Sequence, residues 1–184
     1  TAVKGRWEPG PGEALFKAIA KALGPMPVIA EDLGVITPDV GALRKKFAFP
    51  GMRILQFAVQ GDASDRFLPH HHEPDAVAYA GTHDNDTVAG GWATASDHER
   101  HFARGYFATD GHDMPWTMIR AACASVADTA IHAMQDVLCL PTGCRMNHPG
   151  KESGWWEWRF QWNQVHAWHA QRLAEFARLY GRSN

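Results

Sequence analysis

The chain alternates short apolar runs with longer stretches in which apolar residues recur at helical spacing. The apolar runs predict strands at 28–30, 52–59, 76–80 and 129–135. Runs of this kind, bounded by polar or glycine-rich segments, are typical of strands buried in a sheet. Because helical patterns separate them, the strands are expected to form parallel β-α units.

The helical stretches carry recognisable start and stop signals. Thr37, Pro38 and Asp39 provide an N-cap, a proline at the first helical position and an acid in the first turn. Ser96 and Glu99 have the spacing of a capping box. Helices are predicted at 13–23, 37–47, 96–107, 116–127 and 168–180, with a helical turn at 136–140.

The fold class predicted from this order is α/β. Parallel β-α units build either an open doubly wound sheet or a closed eight-stranded barrel. The 184 residues hold about four such units, whereas a complete barrel needs about 250 residues. We therefore expect residues 1–184 to form a single partial domain, about half of a barrel.

Charge and composition narrow the classes of partner. The net charge is −2, with basic residues spread along the chain, so neither nucleic acid nor an anionic membrane is an expected partner. No apolar run approaches the roughly 20 residues of a membrane span, and the N-terminus does not resemble a signal peptide. Cys123, Cys139 and Cys144 lack the spacing of a zinc site, and we interpret them as reduced thiols of a cytoplasmic protein.

Acidic side chains follow two of the predicted strands. Glu31 and Asp32 follow 28–30, and the polar group His83, Asp84, Asn85 and Asp86 follows 76–80. If the strands are parallel, Glu31 and Asp84 lie at the same edge of the sheet. Enzymes that cleave glycosidic bonds use a pair of carboxylates that face each other across a cleft.

Other interpretations of these acids remain open. The pair after 28–30 is also typical of a helix start with a structural salt bridge. The group at 83–86 is also typical of a capping turn or of a divalent-metal site. Adjacent histidines at 70–72 cannot readily all face one ion, and a solvated loop is expected there. The 8 tryptophans either stack on sugar rings or pack the protein.

Several motifs resemble one enzyme family in order along nearly the whole chain. The segments that carry the resemblance are GRWEPGPGEALFKAIAKALGPMPVIAEDLGVITPDVGALRKKFAFPGMRILQFA, AVAYAGTHDNDT, QDVLCL, RMNHPG and WWEWR. They are similar to the 4-α-glucanotransferases, also called amylomaltases or disproportionating enzymes. The resemblance implies the C-terminal half, strands 5 to 8, of a (β/α)₈ barrel that transfers α-1,4-glucan segments with retention of configuration.

The resemblance also implies roles for individual residues. Glu31 matches the family's general acid/base, and Asp84 matches the carboxylate that stabilises the transition state. His83 matches a ligand of sugar hydroxyls, and Phe57 resembles a sugar-contacting aromatic, although core packing explains Phe57 equally well. The motif positions Arg145, Asn147 and Arg159 are expected to fasten the last loops.

The family's nucleophile, an Asp after the fourth strand, has no counterpart between residues 1 and 184. We therefore expect a piece of a longer enzyme that is inactive alone and is completed by the missing N-terminal half of the barrel. The implied substrates are α-1,4-glucans and maltooligosaccharides, with glucose or maltose as acceptor, and neither a cofactor nor a metal is required. Two alternatives stay open, a non-catalytic α-glucan-binding module and a metal-dependent hydrolase that uses His83, Asp84 and Asp86.

Overall fold

A computed structural model describes residues 4–6 and 8–182. The helices are α1 (Glu13–Leu23), α2 (Pro38–Lys46), α3 (Leu55–Ala58), α4 (Val88–Thr94), α5 (Asp97–Phe107), α6 (Met114–Ala124), α7 (Met134–Val137) and α8 (Ala167–Leu179). The strands are β1 (Gly51–Ile54), β2 (Ala76–Tyr79) and β3 (Thr129–Ile131), and 3₁₀ turns lie at Pro69–His71, Thr142–Cys144 and Trp162–Gln164. Strands alternate with helices, which confirms the predicted α/β class.

The chain divides into two compact units, residues 1–51 and 52–184. The helices predicted at 13–23 and 37–47 lie in the first unit and are confirmed. The helices predicted at 96–107, 116–127 and 168–180 lie in the second and are confirmed with shifts of up to three residues at their ends. That residues 1–184 make one partial domain stays a prediction. Among the described residues, every helix is too short or too polar to span a bilayer.

The first unit is held together by aromatic rings and a buried ion pair. Phe16 of α1 packs between Phe47 and Phe49, with ring centroids 5.2 and 5.1 Å away. The carboxylate of Asp32 lies 3.8 Å from Nε of Arg44, and both side chains are almost fully buried. Asp32 is therefore a structural residue, as the salt-bridge interpretation of the acidic pair predicted.

The strand predicted at 28–30 is wrong for the described part of this unit. Those residues adopt an irregular path, in which the Val28 N–H donates to the nearby carbonyl of Met26 at 3.0 Å and the Ala30 N–H donates to the carbonyl of Pro50 at 2.9 Å. Ile29 is also 45% exposed, so the run is not buried as a central strand would be. A strand exists only as a member of a hydrogen-bonded ladder, and composition alone does not supply the neighbour.

The three strands form one sheet with the order β1-β2-β3. Strand β2 pairs in parallel with β3, and Val77 stands opposite Thr129. The predicted parallel arrangement is confirmed for this pair. All but the last residue of β2 are buried, so the polar turn follows a largely buried central strand.

Two predicted strands are shorter than expected. The run at 52–59 stops as a strand at Ile54, and Leu55–Ala58 forms the single helical turn α3. The run at 129–135 stops at Ile131, and α7 begins at Met134 rather than at residue 136. Both errors have the same cause, because a short continuous apolar run does not distinguish a buried strand from a buried helical turn.

Helix α6 is the centre of the second unit. It contacts β2, β3, α4, α7 and α8. Its Met114 and Met118 join the core beside the sheet, whereas its Trp116 and Ile119 face Val137 of α7 and Phe176 of α8, on the other side of the helix.

Helix α4 was not predicted from the sequence. Its Gly90 and Gly91 are weak helix formers, but Gly90 is required where it stands. A Cβ atom there would come within 2.2 Å of Oγ1 and 2.8 Å of the backbone N of Thr142. The helix forms because tertiary contact fixes it, and its start is capped by the Thr87 hydroxyl, which accepts from the Gly90 N–H at 3.0 Å.

Candidate functional site

The polar cluster after β2 is a tight, internally bonded turn. The side-chain oxygen of Asn85 accepts hydrogen bonds from both the N–H and the hydroxyl of Thr82, each at 2.9 Å. Gly81 lets the turn pass close to α3, since a Cβ there would lie 2.2 Å from Nε2 of Gln56. This geometry confirms the turn interpretation of the cluster and fixes which side chains face outward.

Asp84 presents its carboxylate at the outside of the turn. Its side chain is 47% exposed, and His83 beside it is 53% exposed, with Nε2 of the imidazole 3.5 Å from Oδ1 of Asp84. The same Oδ1 accepts a 2.6 Å hydrogen bond from the side-chain amide of Asn147. One oxygen of Asp84 is thus oriented by the protein, while the carboxylate remains accessible.

Asp86 has a different environment. Its Oδ1 accepts from the Thr87 N–H at 2.7 Å, and its Oδ2 accepts from the hydroxyl of Thr142 at 3.0 Å and lies 3.9 Å from Nη1 of Arg145. The carbonyl of Asp86 accepts from Nε2 of Gln56. Asp86 therefore joins the turn to the surrounding loops.

Arg145 and Asn147 fasten the loop at 145–147 to the turn, as the sequence predicted for these motif positions. Arg145 donates to the carbonyls of Asp84 and Asn147, both at 2.9 Å. The backbone N–H of Asn147 donates to the carbonyl of His83 at 3.1 Å. Because Asn147 also holds the Asp84 carboxylate, it positions a candidate functional group, a role that the sequence had not revealed.

Arg159 is also confirmed as a fastening residue. Its Nη1 donates to the carbonyls of Trp156 and Trp158, at 3.2 and 2.7 Å. The bonds hold the segment that places Trp156 beside His83, with ring centroids 5.1 Å apart. Trp156 is 54% exposed, so its ring is open to a ligand next to the histidine.

A cavity of about 200 Å³ opens beside this turn. It combines hydroxyl, amide, carboxyl, imidazole and guanidinium groups with one large aromatic ring. Its lining residues are Thr82, His83, Asn85, Asp86, Thr87, Ala133, Gln135, Asp136, Arg145, Met146 and Trp156. A cavity whose lining combines polar groups, apolar surface and an aromatic ring suits a ligand with many hydroxyl groups and apolar ring faces.

Asp136 is a site residue that sequence reasoning missed. Its side chain is 2% exposed, and its Oδ1 accepts from the Val88 N–H at 2.7 Å. Burial disfavours the charged form, and the nearby negative charge of Asp86 adds to this, so the pKa of Asp136 rises to about 6. The available signal was an aspartate inside the apolar segment at 133–138, where a charge is costly unless it is paired.

The other predicted site residues lie elsewhere. Phe57 lies on α3 rather than at the end of a strand, and its ring contacts that of Phe67 at 5.4 Å between centroids. It does not line the cavity described above. Glu31 lies in the first unit, where it is exposed, next to the buried Asp32.

The histidines at 70–72 are only partly a solvated loop. His70 and His71 are exposed, but His72 is buried and its Nε2 lies 2.9 Å from the carbonyl oxygen of Phe67. Burial lowers the pKa of His72. Across residues 4–6 and 8–182, no group of three or more His, Cys, Asp or Glu side chains is arranged to hold a metal ion. The three cysteines are free thiols.

Comparisons with known proteins agree on one family. A sequence model of the 4-alpha-glucanotransferase family matches residues 1–165. The chain is 47% identical over 186 residues to the chloroplastic/amyloplastic 4-alpha-glucanotransferase of Arabidopsis thaliana, covering 98% of this chain and 32% of that protein. It is 45% identical over 185 residues to the 4-alpha-glucanotransferase of Thermus thermophilus, covering 96% of this chain and 37% of that protein.

A solved structure gives the same result. The amylomaltase from Streptococcus agalactiae in complex with acarbose matches with a TM-score of 0.93 and 34% identity, covering 100% of this chain and 37% of that one. The chain spans about a third of the length of the curated relatives named above. With its motifs, its fold and these likenesses in agreement, the chain belongs to the 4-alpha-glucanotransferase family.

Proposed function

We propose that this chain is the C-terminal part of a 4-α-glucanotransferase and supplies one wall of its glucan-binding cleft. The observation that carries the proposal is the exposed carboxylate of Asp84, oriented by Asn147 and flanked by His83. A carboxylate held in this way stabilises positive charge that develops on a sugar ring. The family membership supports the same conclusion, as does the cavity, whose lining combines polar groups with the ring of Trp156.

The proposed architecture is strands 5 to 8 of a (β/α)₈ barrel. The parallel pairing of β2 with β3 and the position of the polar turn after β2 support it. In such barrels the side chains at the carboxyl ends of the strands carry the chemistry. Asp84 and the cavity lining at Gln135 and Asp136 follow β2 and β3 in this way.

The proposed reaction divides the chemistry among three acids. Glu31 protonates the leaving glycosidic oxygen and later takes the proton from the acceptor hydroxyl. Asp84 stabilises the transition state, and His83 binds a ring hydroxyl. Phe57 contacts the sugar in this proposal. The covalent glucosyl intermediate forms on an Asp that lies outside this chain, so the 184-residue chain alone does not turn over.

Substrates are proposed from the chemistry and from the relatives. They are α-1,4-glucans and maltooligosaccharides, with glucose or maltose as acceptor, and the missing half of the barrel is the expected protein partner. The solved relative in complex with acarbose supports a maltooligosaccharide-like ligand. A cytoplasmic location stays a prediction, since the Arabidopsis relative is named as chloroplastic or amyloplastic.

A titration of the chain with maltoheptaose, followed by ¹⁵N NMR, tests the binding wall. We expect the indole N–H of Trp156 and the backbone signals at 82–86 to shift. Asp84→Asn should weaken binding about fivefold, as the loss of about 1 kcal/mol from a half-exposed charged hydrogen-bond partner implies. Glu175→Gln, an exposed change on α8, is the matched control and should bind like the parent. Absence of shifts at the turn would contradict the proposal.

Turnover is tested separately by incubating the chain with maltotriose and separating the products. No redistribution of chain lengths is expected, because retention requires the nucleophile. Robust transfer by the purified chain would overturn the assignment of the nucleophile to another segment.

The alternative of a non-catalytic α-glucan-binding module is favoured by the exposed tryptophans, among them Trp156 at 54% and Trp162 at 79% exposure. Maltoheptaose binding that is unchanged by Asp84→Asn and by Glu31→Gln would support that alternative. The metal-dependent hydrolase has no geometric support, because His83, Asp84 and Asp86 do not form a group arranged to hold a metal ion among the described residues.

A further inference from the structure

We propose that Asp136 is a positioning residue whose charge state sets the conformation of the turn that carries Asp84. The effect on glucan binding rests on the function proposed above. The link between Asp136 and the turn rests only on the contacts within this chain. Asp136 is a buried carboxylate that lines the cavity and accepts a hydrogen bond from the backbone of α4, the helix that follows the turn, so it is placed to act on the turn through that backbone.

The contacts form a continuous chain from Asp136 to Asp84. Asp136 accepts from the Val88 N–H at 2.7 Å, and Val88 begins α4 two residues after Asp86. Asp86 is bonded to Thr142 and lies 3.9 Å from Arg145. Arg145 in turn donates to the carbonyl of Asp84 at 2.9 Å. A change in the charge of Asp136 therefore acts on groups that directly hold Asp84.

The burial of Asp136 comes from its own unit. Its α7 packs on α6, which presents Trp116, Ile119 and the thiol of Cys123 to that side. The charged or titratable groups that line the cavity with Asp136 are His83, Asp86 and Arg145. Burial raises the pKa of the Cys139 thiol, just after α7; the charges of Asp113 and Asp136 raise it further, and the charge of Arg172 opposes them.

The direction of the effect follows from these neighbours. When Asp136 is ionised, its carboxylate is a stronger acceptor for the Val88 N–H and repels Asp86, which shifts Asp86 towards Thr142 and Arg145. When Asp136 takes up a proton from solvent, both effects weaken and the turn relaxes. Burial and the charge of Asp86 raise the pKa of Asp136 to about 6. The change in its charge, and with it the change in the turn, is therefore expected near pH 6.

A pH titration of the chain by ¹⁵N NMR tests the proposal without any ligand. The amide signal of Val88 should move with a midpoint near pH 6, and the Asn147 side-chain amide should follow with the same midpoint. Asp136→Asn keeps an oxygen that can accept from Val88 but cannot ionise, so both midpoints should disappear. The exposed Asp128→Asn is the matched control and should keep both.

Two outcomes would overturn the inference. One is a Val88 signal that has no midpoint between pH 5 and 7, or keeps it in Asp136→Asn. The other is a Val88 midpoint without a matching one at Asn147, which would make Asp136 a structural residue only. Maltoheptaose affinity measured at pH 5 and 7.5 provides the functional readout, and the ratio of the two affinities should approach one in Asp136→Asn. Failure to bind at either pH contradicts the proposed glucan site, whereas the ligand-free titration still decides the role of Asp136.

Discussion

The side-chain amide of Asn147 donates a 2.6 Å hydrogen bond to Oδ1 of Asp84. The two residues are 63 positions apart in the sequence, and the contact joins the loop at 145–147 to the turn after β2. It gives the exposed carboxylate a fixed orientation, which a half-exposed aspartate would otherwise lack.

Replacing Asn147 by alanine should weaken maltoheptaose binding about fivefold, because the orienting bond to a partly exposed charged group is worth about 1 kcal/mol. Asn147→Asp should weaken it further, since a second carboxylate would face Asp84. Dissociation constants from calorimetry measure both effects. Asn163→Ala, at an exposed asparagine of a 3₁₀ turn, should bind as the parent does, and equal affinity in all variants would contradict the orienting role.

Gly90 and Gly105 form a matched pair for stability. A Cβ at Gly90 would lie 2.2 Å from Oγ1 of Thr142 and 2.7 Å from Oδ1 of Asp86, so Gly90→Ala should lower the free energy of unfolding by about 1–3 kcal/mol. Around Gly105 in α5 nothing lies within 4 Å of such an atom, and Gly105→Ala should raise it by about 0.5–1 kcal/mol.

Urea denaturation measures both alanine variants at these glycines. Opposite signs are expected because the helical preference of alanine is the same in α4 and α5, and only the contact with Thr142 and Asp86 differs. If Gly90→Ala were as stable as Gly105→Ala, this would contradict the close approach of α4 to the 3₁₀ turn Thr142–Cys144.

His132 should make the fold sensitive to acid. Its Nε2 lies 3.3 Å from Sγ of Cys123, and burial, with a smaller contribution from Arg182, lowers its pKa from 6.5 to about 4. The unfolded chain takes up the proton below about pH 6.5 and the folded chain only near 4, so the free energy of unfolding falls as pH decreases through this window. The loss amounts to about 3 kcal/mol at most.

The free energy of unfolding measured in urea at pH 7 and pH 4.5 tests this expectation. His132→Asn removes the titrating group and should reduce the difference between the two pH values by about 2 kcal/mol. His101→Asn, at an exposed histidine of α5, should leave the difference unchanged. An unaltered difference in His132→Asn would show that other groups cause the acid sensitivity.

Asp136 should act with the opposite sign. Its pKa is raised from 3.8 to about 6, so between these values the folded chain binds more protons than the unfolded chain, and stability falls as pH rises. Above pH 6 the buried charge carries its full cost, about 3 kcal/mol. Asp136→Asn should therefore stabilise the chain by about 1–3 kcal/mol at pH 8 and by little at pH 4. A gain that did not depend on pH would contradict the ionisation.

The sequence predicted the helices well and the strands less well. The capping box at Ser96 and Glu99 is present, because its signal is local. The strand predicted at 52–59 ends early, before residue 55, and the strand predicted at 28–30 does not form. A ladder partner decides whether an apolar run is a strand. Helix α4 was missed because glycines are weak helix formers, and the close neighbours of Gly90 and Gly91 come from distant segments, among them Thr142 and Gln56.

The candidate site divides in the same way. Its carboxylate and imidazole, Asp84 and His83, could be named from their position after a buried run and from the motif around them. The contacts of Asn147 with Asp84 and of Asp136 with Val88 could not be predicted, because the partners lie about 50 or more residues apart in the sequence. From the sequence alone, Asp86 was a candidate catalyst, a candidate metal ligand or a turn residue. Its hydrogen bonds to Thr87 and Thr142 identify it as a turn residue.

The sequence by itself determined the α/β class, the family and the chemical types of the functional groups, because these follow from periodicity, capping signals and motifs that neighbouring residues carry. The tertiary structure decided which of those groups are exposed, which are buried and what orients them. The reason is physical. The orientation of Asp84 and the raised pKa of Asp136 depend on atoms brought together from distant segments, and no local pattern specifies the solvent exposure or the electrostatic field at either carboxyl group.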